Sequence, residues 1–133
     1  MRTLILSILI LMATTACKTK KKTTVAKELG DSKWTVILLN QDVKPKSTQT
    51  LAIKGNIING KGACNGFGGK LEKRGKKEIK FVDLIGTKMA CELLNEENIY
   101  LQNLRKATSY DFVENNLVLY NDKKEVLVTF APQ

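Results

Sequence analysis

Residues 109–130, "SYDFVENNLVLYNDKKEVLVTF", contain three short apolar segments separated by two turn signals. The turn signals are Asn115-Asn116 and Asn121-Asp122-Lys123. Asn and Asp tolerate the positive φ angles that tight hairpin turns require, and apolar runs bounded by such turns are typical of strands. This stretch therefore predicts three antiparallel strands joined by hairpins.

The upstream chain repeats this pattern. Leu51 and Ile53 lie on one side of an alternating segment, and a tight turn around Gly55 is expected to lead into the next strand. A basic turn around Gly75 indicates another hairpin. The predicted strand segments are residues 34–40, 50–54 and 56–59, together with the apolar positions Leu71, Ile79, Phe81 and Leu84 that flank Gly75.

One segment has the period of a helix. Between residues 95 and 107, the apolar residues Tyr100, Leu101, Leu104 and Ala107 recur at helical spacing. We expect Asn95 to be the N-cap, Glu96 and Glu97 to lie at the positive end of the helix dipole, and Arg105 and Lys106 to lie at its negative end. The predicted fold class is α+β and mainly β: a single compact antiparallel sheet or partly open barrel packed by one amphipathic helix.

The N-terminus indicates export. Met1-Arg2 supplies a positive charge, residues 3–13 are apolar but too short to span a bilayer, and small residues precede Cys17. The segment resembles the signal of bacterial lipoproteins, in which the cysteine after the cleavage site is acylated. We therefore predict a signal peptide at residues 1–16 and lipidation of Cys17; the alternative is an ordinary secreted protein with a spare thiol.

A lysine-rich segment follows Cys17. Residues 17–29 contain five Lys and one Glu and have no apolar face, which predicts a basic flexible tether. It could attract anionic headgroups or act only as a solvated spacer. The expected domains are residues 1–16, 17–29 and 30–133. We expect a bacterial cell envelope protein, anchored in the outer membrane and facing the periplasm.

Composition excludes several kinds of chemistry. The chain contains no His, which removes the commonest general base and metal ligand, so no catalytic residues, metal or cofactor are predicted. The chain has 22 Lys and Arg against 13 Asp and Glu. Much of this excess lies in the tether and a cluster between residues 70 and 77, which weakens a nucleic-acid interpretation.

Cys64 and Cys91 are the two remaining cysteines. An even pair in an oxidising compartment favours a disulfide, and two buried thiols that face apart are the alternative. Cys64 lies in "GKGACNGFGG", residues 60–69, which we interpret as a glycine-dense connection with bends or bulges. It lacks the Gly-Lys-Ser/Thr ending of a phosphate loop.

Several of these motifs together resemble the META domain of HslJ-like bacterial proteins. They are Trp34 in the first strand, "GACNGFGGKL" at residues 62–71, "FVDLIGTKMAC" at 81–91, "IYLQNL" in the helix, and residues 109–130. The resemblance implies an envelope domain linked to heat or envelope stress, with no agreed reaction. It implies structural signature positions at Trp34, Gly62, Cys64, Asn65, Thr87, Met89, Ala90 and Cys91, with the two cysteines bonded.

The predicted function is a non-enzymatic, membrane-anchored envelope lipoprotein that binds an unknown envelope protein or ligand, linked to envelope or heat stress. The alternatives are an inhibitor of a hydrolase and a small-ligand-binding β domain. We expect a monomer that contacts the membrane through the lipid on Cys17 and does not bind nucleic acid.

Overall fold

A computed structural model describes residues 28–133 of the chain. These residues form eight strands and one helix, and the helix interrupts the strands between the fifth and the sixth. The elements are β1 (Ser32–Leu39), β2 (Thr50–Lys54), β3 (Ile57–Lys61), β4 (Gly66–Lys73), β5 (Ile79–Gly86), α1 (Leu94–Lys106), β6 (Ser109–Val113), β7 (Asn116–Tyr120) and β8 (Val126–Pro132).

All eight strands belong to one antiparallel sheet in the order β5-β4-β3-β2-β1-β8-β7-β6. The sheet curls until its two edge strands approach each other, where an antiparallel bridge joins Glu78 to Ser109. The Ile79 N–H donates to the Thr108 carbonyl at 3.0 Å beside this bridge. The predicted partly open barrel with one helix is therefore confirmed.

The helix packs on the core of the curled sheet. The Tyr100 ring lies between those of Phe67 and Phe130, at centroid distances of 5.7 and 6.2 Å. Tyr100 and Leu104 are fully buried, as the apolar period predicts. The predicted N-cap is wrong: Asn95 lies inside the first turn, and Leu93 occupies the cap position without a side-chain hydrogen bond.

The glycine-dense stretch at residues 60–69 is mostly strand rather than connection. β3 reaches Lys61 and β4 begins at Gly66, so only four residues link these strands. Glycine at position 60 allows the neighbouring groups to pack against the backbone. An added Cβ there would collide with the Thr50 carbonyl and the Phe67 ring. The predicted bulge is present at Gly69, where the pairing register between β4 and β5 shifts. Asp83, on the opposite strand, has a φ of 53°.

The hairpin turns occur where predicted, but the β6–β7 turn is shifted by one residue. Gly55 has a φ of 61°, as the tight turn between β2 and β3 requires. The turn between β6 and β7 is Glu114-Asn115, because Asn116 pairs with Val113 as the first residue of β7. Glu114, not Asn, has the positive φ.

The folded domain begins earlier than predicted. Leu29, which we assigned to the tether, is fully buried in the core, and its N–H donates to the Tyr110 hydroxyl at 3.1 Å. The predicted signal peptide, Cys17 and residues 18–27 lie outside the described residues. Within residues 28–133, no helix has the length and hydropathy needed to cross a bilayer.

Candidate functional site

Seven of the eight predicted signature residues meet at the start of α1. Two connections lie against each other there: residues 62–65, between β3 and β4, and residues 87–93, between β5 and α1. Glu97, from the first turns of the helix, lies between them. We call this group the signature cluster, and it consists of Gly62, Cys64, Asn65, Thr87, Met89, Ala90, Cys91 and Glu97.

Glu97 binds the first connection through three donors. Its Oε2 accepts the backbone N–H groups of Cys64 and Asn65 at 2.7 and 2.6 Å. Its Oε1 accepts the Asn65 side-chain amide at 2.7 Å. The carboxylate therefore satisfies consecutive backbone donors that a tight connection between two strands would otherwise leave unpaired.

The environment of Glu97 favours its charged form. Only 3% of the residue is exposed, and burial alone would raise the pKa of its carboxyl. The hydrogen bonds from the Asn65 side chain, the Asn65 N–H and the Cys64 N–H outweigh burial and lower that pKa below its usual value. Glu97 is therefore ionised at neutral pH, and three hydrogen bonds hold its carboxylate in place.

Asn65 joins the two connections. Its Oδ1 accepts the Met89 N–H at 2.7 Å and the Thr87 hydroxyl at 2.9 Å, and its Nδ2 donates to the Met89 carbonyl at 3.0 Å. Because Nδ2 also donates to Glu97, all the hydrogen-bonding capacity of this buried amide is used. Asn65 therefore connects the start of β4 to the segment that follows β5 and to the helix.

The disulfide adds a covalent bond at the same place. Cys64 and Cys91 are bonded, and their Cα atoms are 6.2 Å apart. Cys64 precedes β4 and Cys91 follows β5, so the β4–β5 hairpin brings them together. The predicted disulfide is confirmed, and the alternative of two separate thiols is excluded.

Gly62 is a signature position because there is no room for a side chain. A Cβ at this residue would lie 2.6 Å from Glu97 Oε2 and 2.7 Å from its Cγ. A larger residue would push the carboxylate away from the donors of Cys64 and Asn65. The requirement for glycine is therefore steric.

Trp34, the eighth signature residue, does not belong to this cluster. It lies in β1, where its ring is 5.9 Å from that of Phe112 and its Nε1 donates to the Ser32 hydroxyl at 2.8 Å. Only 3% of Trp34 is exposed. Its role is in the core.

Glu96 repeats the arrangement of Glu97 for a different loop. Its carboxylate accepts the N–H of Lys46 at 2.8 Å, the hydroxyl of Ser47 at 2.9 Å and the Nε2 of Gln49 at 2.8 Å. Burial opposes the charge of Glu96, but these hydrogen bonds lower its pKa. Both acids lie in the first turn, as the helix dipole predicts, but their hydrogen bonds to two loops go beyond that role, and the sequence signal for it is the pair of adjacent acids.

A groove of about 510 Å³ lies beside the signature cluster, between the end of β5 and α1. Glu97 and Asn65 contribute to its floor, while Lys88 and Arg105 are basic residues of its wall. Its apolar side chains are unusually exposed: Ile85 by 76%, Met89 by 61% and Leu94 by 36%. These side chains form an exposed apolar patch on the lining of the groove.

The groove combines apolar, basic and carboxylate side chains. Its lining offers hydrophobic contact and two cations, and the carboxylate at its floor already binds three donors. Over residues 28–133, no three Cys, Asp or Glu side chains come together as a possible metal site.

The family model of the META domain matches residues 27–133. Since this match covers most of the sequence, the chain belongs to the META domain family. No curated protein sequence is significantly similar to it.

Three solved structures share the fold. An NMR structure of a protein from Burkholderia xenovorans has a TM-score of 0.63 at 20% identity, covering 79% of this chain and 83% of that one. A second NMR structure has a TM-score of 0.60 at 21% identity, covering 78% and 91%. A crystal structure of a DUF4847 family protein from Bacteroides vulgatus has a TM-score of 0.57 at 15% identity, covering 77% and 92%.

Proposed function

We propose that this protein is a non-enzymatic envelope lipoprotein, held to the membrane through Cys17, and that its META domain binds an envelope partner in the groove between β5 and α1. The observation that carries the proposal is the exposure of Ile85 and Met89 on a frame locked by Asn65, Glu97 and a disulfide. A rigid frame lowers the entropy cost of presenting apolar side chains to a partner.

The chemistry of the groove favours an extended segment with apolar and acidic side chains. Ile85 and Met89 supply apolar contact, and Lys88 and Arg105 supply positive charge on the same wall. The Arg105 guanidinium lies at the β5 edge, where it donates to the Leu84 carbonyl at 3.4 Å. An acidic side chain of the partner would find a complementary potential here.

The groove also supports a binding role over a catalytic one. A general base needs a carboxylate with a free acceptor and a pKa near the working pH. Glu97 has hydrogen-bond partners on both oxygens and a lowered pKa. Both oxygens of this carboxylate are bonded to donors that hold the connections in place, which favours a structural role for Glu97.

Methyl NMR titration tests the groove. The probes are a short peptide that alternates leucine with glutamate and a matched peptide in which lysine replaces glutamate. We expect the acidic peptide to produce saturable shifts at Ile85, Met89 and Leu94, and little change at Ile57, which is 58% exposed on another strand. Charge complementarity predicts weaker binding of the lysine peptide.

Equal shifts at Ile57 and Ile85, or equal affinity for the two peptides, would overturn this assignment of the groove. The variant Ile85→Asp should abolish the saturable shifts without loss of the fold, because its side chain is exposed. Ile57→Asp is the matched control and should bind the acidic peptide normally.

The anchor is tested by the variant Cys17→Ser. Loss of the lipid should move the protein from the membrane fraction to the soluble envelope fraction, or stall its processing, because acyl chains supply stable membrane attachment. Normal maturation with unchanged membrane retention would show that the lipid is not on Cys17. A proposed role in envelope or heat stress predicts that deletion lowers survival under such stress.

A further inference from the structure

We infer that the hairpin turn between β4 and β5 is a second membrane contact, which seats the domain on anionic lipid headgroups. This inference rests on the proposed anchoring through Cys17. The turn, residues 73–77, reads Lys-Arg-Gly-Lys-Lys and contains four cations and no acid. We call it the basic hairpin.

The basic hairpin is exposed and only partly neutralised. Arg74 pairs with Glu72 at 2.9 Å, and Lys77 pairs with Asp111 at 3.1 Å. Lys73 and Lys76 are exposed and form no ion pair within residues 28–133. Glu78 lies next to Gly75 in the same turn, so residues 72–78 hold four cations and two acids and keep a net charge of +2, with Lys73 and Lys76 available to a partner.

The chain enters the folded domain beside this hairpin. The Leu29 N–H donates to the Tyr110 hydroxyl at 3.1 Å, and that hydroxyl in turn donates to the Lys76 carbonyl at 3.2 Å. One side chain thus links the first residues of the domain to the hairpin. The end of the domain that is nearest the anchored segment is therefore also its basic end.

The covalent distance to the anchor keeps the hairpin close to the bilayer. Ten residues lie between Cys17 and Glu28, so even a fully extended chain of eleven steps reaches no more than about 40 Å. Tethering at this range gives the hairpin a high effective concentration at the surface. Each Lys near an anionic surface contributes roughly a fivefold increase in partitioning, so two available lysines are sufficient for a weak, reinforcing contact.

The segment before the domain has the same sign of charge. Residues 18–27 contain Lys18, Lys20, Lys21, Lys22 and Lys27. The groove runs along α1 from Leu94 to Arg105, and Arg105 also borders the cleft lined by Arg74 and Glu78, so the hairpin and the groove are neighbouring surfaces.

The test uses residues 17–133 with Cys17→Ser, so that binding does not depend on the lipid. Partitioning is measured on vesicles of phosphatidylcholine alone and of phosphatidylcholine mixed with phosphatidylglycerol. We expect binding only to the mixed vesicles. The double variant Lys73→Glu/Lys76→Glu should lower that binding by at least tenfold, with the lysines of residues 18–27 unchanged.

The matched control is Lys44→Glu/Lys61→Glu, which makes the same change in net charge at two other exposed lysines. Lys61 pairs with Gly66 at the start of β4, roughly 24 Å from Lys73 at its end. The control should retain most of the binding. An equal loss in both variants would show a nonspecific charge effect and overturn the hairpin contact, as would unchanged binding of the hairpin variant.

This result is separable from the anchor itself. If Cys17→Ser leaves the cellular protein membrane-bound while the hairpin variant releases the purified chain from vesicles, the lipid assignment fails and the hairpin contact stands. If the cellular anchor is confirmed but Lys73→Glu/Lys76→Glu binds the vesicles as tightly as the unchanged hairpin, the hairpin contact is wrong and the anchor still stands.

Discussion

Gly62 shows how one residue controls the signature cluster. Its missing side chain leaves the space that Glu97 fills, and Glu97 then satisfies the N–H groups of Cys64 and Asn65. The sequence indicates that a glycine is needed here, but not why. The reason is a contact with a residue 35 positions away, which becomes visible only when the helix is placed on the sheet.

Gly62→Ala should therefore lower the free energy of unfolding by about 1–3 kcal/mol, the usual cost of forcing an extra methyl group into a packed site. Gly66→Ala is the control, because the nearest atom to its Cβ is the Gly60 carbonyl oxygen at 3.8 Å. Its effect should stay within about 0.5 kcal/mol. Urea denaturation measures both, and equal losses would contradict the steric account.

At the scale of elements, the helix and the strands were predictable to different degrees. The periods of α1 and β6–β8 are local properties, and those elements are confirmed. The strand character of residues 60–69 was not predictable, because glycine has low strand propensity and the partners of Gly60 and Gly68 come from the rest of the sheet. The disulfide was predictable from the even pair of cysteines in an expected oxidising compartment and from the family resemblance.

The disulfide closes the β4–β5 unit, with a sequence separation of 27. Cys64→Ala should lower the free energy of unfolding by about 2–4 kcal/mol, and Cys91→Ala by a similar amount, mainly because the unfolded chain gains freedom. The double variant should cost no more than either single variant, since the same bond is lost once. Additive losses in urea denaturation would contradict this expectation.

The first turn of α1 makes the domain sensitive to acid. Hydrogen bonds hold the pKa values of Glu96 and Glu97 below the ordinary value of 4.5, so their stabilisation is present above that pH and is lost as pH falls through the folded-state values. Urea midpoints should drop below about pH 4.5. The Glu97→Gln variant should have a lower urea midpoint at neutral pH than the wild type, and its midpoint should fall less on acidification. The control Glu92→Gln changes an exposed acid before the helix and should behave like the wild type.

At the scale of the whole molecule, the domain presents two neighbouring surfaces, with Arg105 at the border between them. The basic hairpin lies beside the point where the chain enters the domain, and the groove lies beside the start of α1. The composition predicted the basic cluster, and the motifs predicted the signature residues. Neither predicted the groove, because the exposure of Ile85 and Met89 depends on how β5 ends beside the helix.

The central claim is that the groove, held in place by the signature cluster, performs the function. Complementation of a deletion strain under envelope stress tests it most directly, with Ile85→Asp/Met89→Asp compared with Ile57→Asp. Fractionation and urea denaturation must first show that both variants are anchored and folded. We predict that Ile57→Asp restores survival and that the groove variant does not. Full restoration by an anchored, folded groove variant would contradict the account.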